Sequence, residues 1–249
     1  MGGGHAHALY RHGHTLVHRL APEVKIVAVF GFVLAVVITP REAMWAFAVH
    51  AGVVLTMLTV ARVSPGFALR RLAAISPFLL AVATLPLIGP PPDAVWGLSA
   101  SGLWSAWNIA AKGVLGTLAS ICLAATTEAP DLVAGLERLR LPRVVTAIMG
   151  FTVRYLDVVA GEVSRSLVAM RSRGYRPRWL GGVGPLARSL GGLFVRSFER
   201  GERVYLAMVS RGYTGQMPPA PTGVAASWVP AVVVVTAAWV AATGALVLR

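Results

Sequence analysis

Uninterrupted apolar runs of about 15 to 20 residues recur along this chain, each close to the length that crosses the hydrocarbon core of a bilayer. In lipid a backbone can satisfy its polar groups only within helices or a closed barrel, and continuous rather than alternating apolar runs select helices. Five spans are predicted: residues 24–38, 44–61, 72–88, 104–125 and 227–248. The first is stopped by Thr39-Pro40, and Pro77 and Pro86 are set to bend the third. The expected fold class is all-α: a polytopic membrane protein with about five transmembrane helices and long cytoplasmic amphipathic helices.

Charge sorts the loops. Arg11, Arg19 and Lys25 lie at the first span, and Arg62, Arg70 and Arg71 lie between the second and third. The stretch 89–102 has no Lys or Arg and a single acid, Asp93, while the short turn before the second span has only Arg41 with Glu42. By the positive-inside rule the N-terminus and the segment between spans four and five are cytoplasmic, leaving Arg249 outside as an exception. The same rule accounts for a net charge of +13 without a nucleic-acid partner. Four regions follow: a His-rich cytoplasmic arm over 1–23, four spans over 24–127, a cytoplasmic insert over 128–222 and a last span over 223–249.

The insert holds 14 of the 23 basic residues and 7 of the 10 acidic ones, yet stays rich in Val, Leu, Phe and Met. A short helix is expected from Ala129 to Leu139, with Pro130 and Asp131 in its first turn. Longer ones run from Pro142 to about Arg173 and from Pro185 to about Arg211. At 1.5 Å per residue the first of these reaches about 45 Å, longer than a bilayer core, so it is expected to lie obliquely along the cytoplasmic face. Its apolar side is Val144, Val145, Ile148, Phe151, Tyr155 and Val159. Charged residues three or four apart form expected helix-surface pairs: Arg154 with Asp157, Glu162 with Arg165, Arg196 with Glu199, and Glu199 with Arg203.

Both long helices end in one phrase. Ala169-Met170-Arg171-Ser172-Arg173-Gly174-Tyr175 returns as Ala207-Met208-Val209-Ser210-Arg211-Gly212-Tyr213. Glycine just past a helix is a left-handed stop, and Arg176-Pro177 and Met217-Pro218-Pro219 prevent resumption. A plain cap explains the Arg and the Gly, but not the Ala-Met before, the Tyr after, or the repetition. An exposed Arg between small residues can enter a groove and offer its planar fork to a carboxylate, so the phrases are read as docking tips.

Other chemistry is sparse. The only lysines are Lys25 and Lys112, and neither follows a glycine, so no P-loop exists and Gly181-Gly182-Val183-Gly184 reads as a turn. No Gly-x-Ser-x-Gly elbow or catalytic set is present, and no cofactor is implied. Cys122 is a lone buried hydrophobe. Lys112 is an intramembrane cation, either facing a bundle interior or snorkelling. His5, His7, His12, His14 and His18 make the N-terminal arm attractive to cobalt or nickel, or are incidental.

The chain resembles the transmembrane T components of energy-coupling-factor transporters, and most of all the CbiQ subunits of cobalt importers. The likeness rests on Val17-His18-Arg19-Leu20-Ala21-Pro22-Glu23-Val24-Lys25, Leu136-Glu137-Arg138-Leu139-Arg140-Leu141-Pro142, Arg196-Ser197-Phe198-Glu199-Arg200-Gly201-Glu202-Arg203 and the two Ser-Arg-Gly signatures. Family signatures read Ala-Arg-Ser or Ala-Arg-Gly; Ser172 and Ser210 are a small-for-small departure. The resemblance implies a non-catalytic subunit whose coupling helices seat Ser172-Arg173-Gly174 and Ser210-Arg211-Gly212 in two CbiO-like ABC-type ATPases. It further implies a CbiM-like substrate-binding membrane subunit and a small CbiN-like partner, with cobalt as cargo held on the former and no metal on this chain. Nickel or a vitamin such as biotin is the alternative cargo; a membrane-embedded enzyme using Lys112 and a passive metal channel are the alternative functions.

Overall fold

The computed structural model describes residues 15, 17–88, 94–95, 98–175, 183–215 and 227–247. The histidines at 5, 7, 12 and 14, together with Asp93, Arg176-Pro177, Met217-Pro218-Pro219 and Arg249, lie outside them. Ten helices are described: α1 (Pro22–Ile38), α2 (Met44–Val60), α3 (Pro65–Leu72), α4 (Ser76–Val82), α5 (Leu85–Ile88), α6 (Ala100–Thr126), α7 (Ala129–Arg138), α8 (Arg143–Ser172), α9 (Val183–Val209) and α10 (Val229–Val247). A two-residue antiparallel pairing, β1 (Ala94–Val95) with β2 (Leu98–Ser99), precedes α6. The fold class is all-α.

The third apolar run differs most from expectation. Helix begins at Pro65 instead of residue 72, so Arg70 and Arg71 lie inside α3, with Arg71 5.2 Å from the centre of the Phe67 ring. A 3-10 turn at Ala73–Ile75 follows, then α4 with Pro77 near its start and α5 with Pro86. Proline needs no N–H in a first turn, so each one restarts a helix at a bend. α6 starts four residues before its expected position because Ser99 caps it, its Oγ accepting from the Gly102 N–H at 3.3 Å.

Among the described residues four stretches are long and apolar enough to cross a membrane: Pro65–Leu87, Ala100–Thr126, Arg143–Ser172 and Val229–Val247. α1 and α2, 17 residues each, sit at the short end of spanning lengths. α8 therefore qualifies by length and composition, although its 30 residues reach about 45 Å, beyond a bilayer core, which is the ground for expecting it to lie obliquely.

Residues divide into two compact units, one of Leu9–Leu139 with Thr222–Arg249 and one centred on Arg140–Pro221. In the first, α1 packs against α6, α7 and α10, and α2 against α6 and α10. Phe32, Val36, Val54, Leu58, Leu115, Ala119 and Ala238 form its core. Alanines dominate the α10 seam (Ala231, Ala238, Ala241, Ala242, Ala245), letting backbones approach as small residues do between membrane helices.

The two lysines of the chain perform one task reciprocally. Lys25, at the start of α1 and almost wholly buried, donates from Nζ to Thr126 O (2.9 Å) and Thr127 Oγ1 (3.3 Å) at the end of α6, and to His18 O (3.3 Å). Lys112, in α6, donates to Val37 O (2.8 Å) in the last turn of α1. Each helix thus places a cation on the carbonyl end of the other, satisfying orphan acceptors where the helix dipole is negative. Thr39 completes the end of α1, its hydroxyl donating to Ala35 O (2.8 Å) and sitting 3.0 Å from His50 Nε2.

α7 is held on the start of α1 by Arg138, whose guanidinium donates to Glu23 Oε2 at 3.1 Å, and by close approach at Gly135. A Cβ at Gly135 would stand 3.0 Å from Glu23 N, Pro22 Cβ and Ile26 Cδ1. Gly135→Ala is therefore expected to cost about 1–3 kcal/mol, read as a lower midpoint of thermal unfolding in detergent. An unchanged midpoint would show that the contact yields freely.

Candidate functional site

The two repeated phrases fold identically. In α8 the Arg173 N–H bonds Met170 O (3.1 Å), the Gly174 N–H bonds Arg171 O (3.0 Å) and the Tyr175 N–H bonds Met170 O (3.0 Å). In α9 the Arg211, Gly212 and Tyr213 N–H groups bond Met208, Val209 and Met208 carbonyls, each at 3.0 Å. Gly174 and Gly212 sit at φ +83° and +84°, where a Cβ would clash with the following carbonyl. This is the Schellman stop, in which the second residue past the helix lies over the residue five before it.

That geometry revises one inference from the sequence. The stop brings Tyr175 over Met170 and Tyr213 over Met208, and all four are half-buried, so capping accounts for the Met and the Tyr as well as the Gly. The serines are also occupied: Ser172 Oγ donates to Ala169 O (2.9 Å) and Ser210 Oγ to Ala207 O (3.0 Å). What remains is the arginine. Arg173 and Arg211 are exposed, and among the described residues no hydrogen bond or ion pair engages either side chain. Each tip therefore presents a fixed backbone and an exposed arginine directly before the glycine, joined in α8 by the exposed Arg171. Replacing Gly174 and Gly212 together by Ala is expected to cost about 1 kcal/mol or more per tip and to speed amide exchange in both last turns. Unchanged exchange would contradict the strain argument.

Of the expected charge pairs only Glu199–Arg203 forms, at 3.9 Å on the exposed face of α9. Glu162 bypasses Arg165 and crosses to α9, where its carboxylate accepts from Arg200 and lies 3.9 Å from Arg196 Nε. Arg196 is thereby directed to Glu162 rather than to Glu199. The reason is burial: the Glu162 side chain is only 13% exposed, so α9 supplies the cations that solvent would otherwise replace. Arg154 and Asp157 do not share an environment, Arg154 being exposed and Asp157 half-buried.

The apolar side of α8 divides. Phe151, Tyr155 and Val159 line a groove with Ser197, Val204 and Met208 of α9, and the Phe151 and Tyr155 rings stack 6.4 Å apart. Val144, Val145 and Ile148 remain exposed. Among the described residues no three His, Cys, Asp or Glu side chains gather in a metal-binding group. Lys112, bonded to a helix-end carbonyl, has a structural task. Sequence reasoning missed Arg200 as a partner of Glu162, although the offset between them, 38 residues, is the offset of the repeated phrases.

Residues 13–220 match the profile of the family CbiQ, cobalt transport protein. The chain belongs to the CbiQ family. A CbiQ cobalt transport protein of Rhodobacter capsulatus is 31% identical over 153 residues, 60% of this chain and 61% of that protein, so the match spans about three fifths of the relative's length. EcfT energy-coupling factor transporter transmembrane proteins match more extensively. That of Acidaminococcus fermentans is 24% identical over 83% of this chain and 82% of its own length, and that of Listeria innocua 25% over 83% of each. Family membership and the apolar helices make this CbiQ-family chain a multi-pass membrane protein.

Proposed function

We propose that this CbiQ-family membrane component is the coupling subunit of an ATP-driven importer of the energy-coupling-factor type, with cobalt as cargo. The observation that carries the reading is the pair of helix ends with matching Schellman hydrogen bonds, each projecting an exposed arginine that no described residue engages. A chain without a P-loop that displays the same cation twice is suited to receive work from two copies of one ATPase, whose groove acidic groups would take the guanidinium fork. Arg173 and Arg211 are the contacts, Ser172 and Ser210 keep the turn small, and Gly174 and Gly212 make it possible.

α8 and α9 then lie at the cytoplasmic side, as coupling helices, with the N-terminus also inside. The charges spaced along α8 favour this surface position over a span. The remaining helices hold a substrate-binding membrane subunit, with a small accessory subunit, and the chain itself performs no chemistry. The family description and the cobalt-transport relative support cobalt as the cargo.

Reconstitution tests the whole reading. Proteoliposomes containing this chain, its ATPases and the substrate-binding subunit are expected to accumulate radioactive cobalt only with ATP and only when all parts are present. Cobalt flux through this chain alone, without ATP, would overturn it in favour of a channel.

A further inference from the structure

The 38-residue offset that relates the two arginine tips also relates Glu162 to Arg200, and these two residues bond one another. Glu162 precedes Arg173 by 11 residues, and Arg200 precedes Arg211 by 11. Positions equivalent in a repeat meet only on the axis that exchanges the two copies. The helices also pass in opposite directions. Phe151 and Tyr155, before Glu162 on α8, share a groove with Val204 and Met208, after Arg200 on α9.

From this we infer that the Glu162–Arg200 pair is the dyad of a pseudo-twofold α8–α9 crossing, and that Glu162 is the positioning residue that fixes how far each arginine tip reaches. Eleven residues of helix give each arm about 16 Å, so the tips stand on opposite sides of the crossing, at most about 33 Å apart. A slip of α8 along α9 by one turn would move both tips outward or both inward and change their separation by about 5 Å. Apolar contacts alone resist such a slip weakly, because aliphatic side chains fit several registers. A largely buried carboxylate held by Arg200, with Arg196 beside it one turn earlier, accepts only one.

An equal-armed, twofold element is what a symmetric pair of ATPases requires, and this functional consequence rests on the coupling role proposed above. The geometric claim stands apart from it.

The test uses the assembled transporter, with Cys122→Ala and spin labels at Arg171→Cys and Val209→Cys, which are equivalent positions near the two tips. Pulsed electron–electron distance measurement is expected to give one narrow separation. Glu162→Gln should broaden it, and the exchange Glu162→Arg with Arg200→Glu should narrow it again. Uptake per ATP hydrolysed should fall about tenfold in the first and recover in the second. A distribution unchanged by Glu162→Gln would overturn the positioning role. Changed distances with unchanged uptake would uphold the dyad and count against the coupling role, so the two claims fail separately.

Discussion

Arg173→Ala combined with Arg211→Ala is expected to reduce ATP-dependent uptake to background while the protein still inserts and folds. Both side chains are exposed and engage none of the described residues, so their removal disturbs no bond among these. The backbone of each tip is set by Gly174, Gly212 and the Schellman bonds, which alanine at the preceding position leaves in place. Arginine anchors at protein interfaces are worth about 2 kcal/mol or more each, so the two together amount to about a thousandfold in affinity for the ATPases. Single variants should retain partial activity, because one tip still docks. Uptake, membrane yield and ATPase co-purification measured side by side check this. Normal uptake by the double variant would refute the contact assignment, and loss of membrane yield would show a folding role instead.

Lys25→Met is expected to be the most destabilising single change among the charged residues of the bundle. Its ammonium is buried and holds three acceptors, two of them at the end of α6. Methionine fills the stem volume but leaves Thr126 O and Thr127 Oγ1 without their donor, at a cost of about 2–4 kcal/mol. Lys112→Met removes one bond at a half-exposed site and should cost about 1 kcal/mol or less. The comparison matters because the sequence offers both lysines as isolated cations in apolar surroundings. Thermal unfolding in detergent should show a fall of several degrees for Lys25→Met and little for Lys112→Met. Equal midpoints would mean that burial of the first lysine contributes nothing. Retained uptake by Lys112→Met would also dispose of the reading in which Lys112 is catalytic.

Much of this architecture is legible in the chain because lipid imposes a simple rule on it. Long apolar runs bounded by Pro, Gly or charge fix the ends of α1, α2 and α10 to within two residues. The interrupted α3–α5 run is less legible, since a composition of Ala, Leu and Ile does not say where helix yields to 3-10 turn. The tips were visible through repetition, yet only their hydrogen bonds show that Met170 and Tyr175 belong to the cap. Charge pairs are not legible where the partner lies on another helix: spacing along α8 offers Arg165 to Glu162, whereas burial against α9 delivers Arg200. The reciprocal lysines carry no sequence signal, because their acceptors are backbone carbonyls 75 and 101 residues away.

Cross-linking at the two tips tests the coupling role most directly. With Cys122→Ala as background, Ser172→Cys and Ser210→Cys place single thiols beside Arg173 and Arg211 without touching either guanidinium. In the assembled transporter each is expected to cross-link to an ATPase subunit, at both tips, with a yield that changes when ATP is bound. Thiols that react with the lipid phase or the substrate-binding subunit, and with no ATPase, would contradict the account.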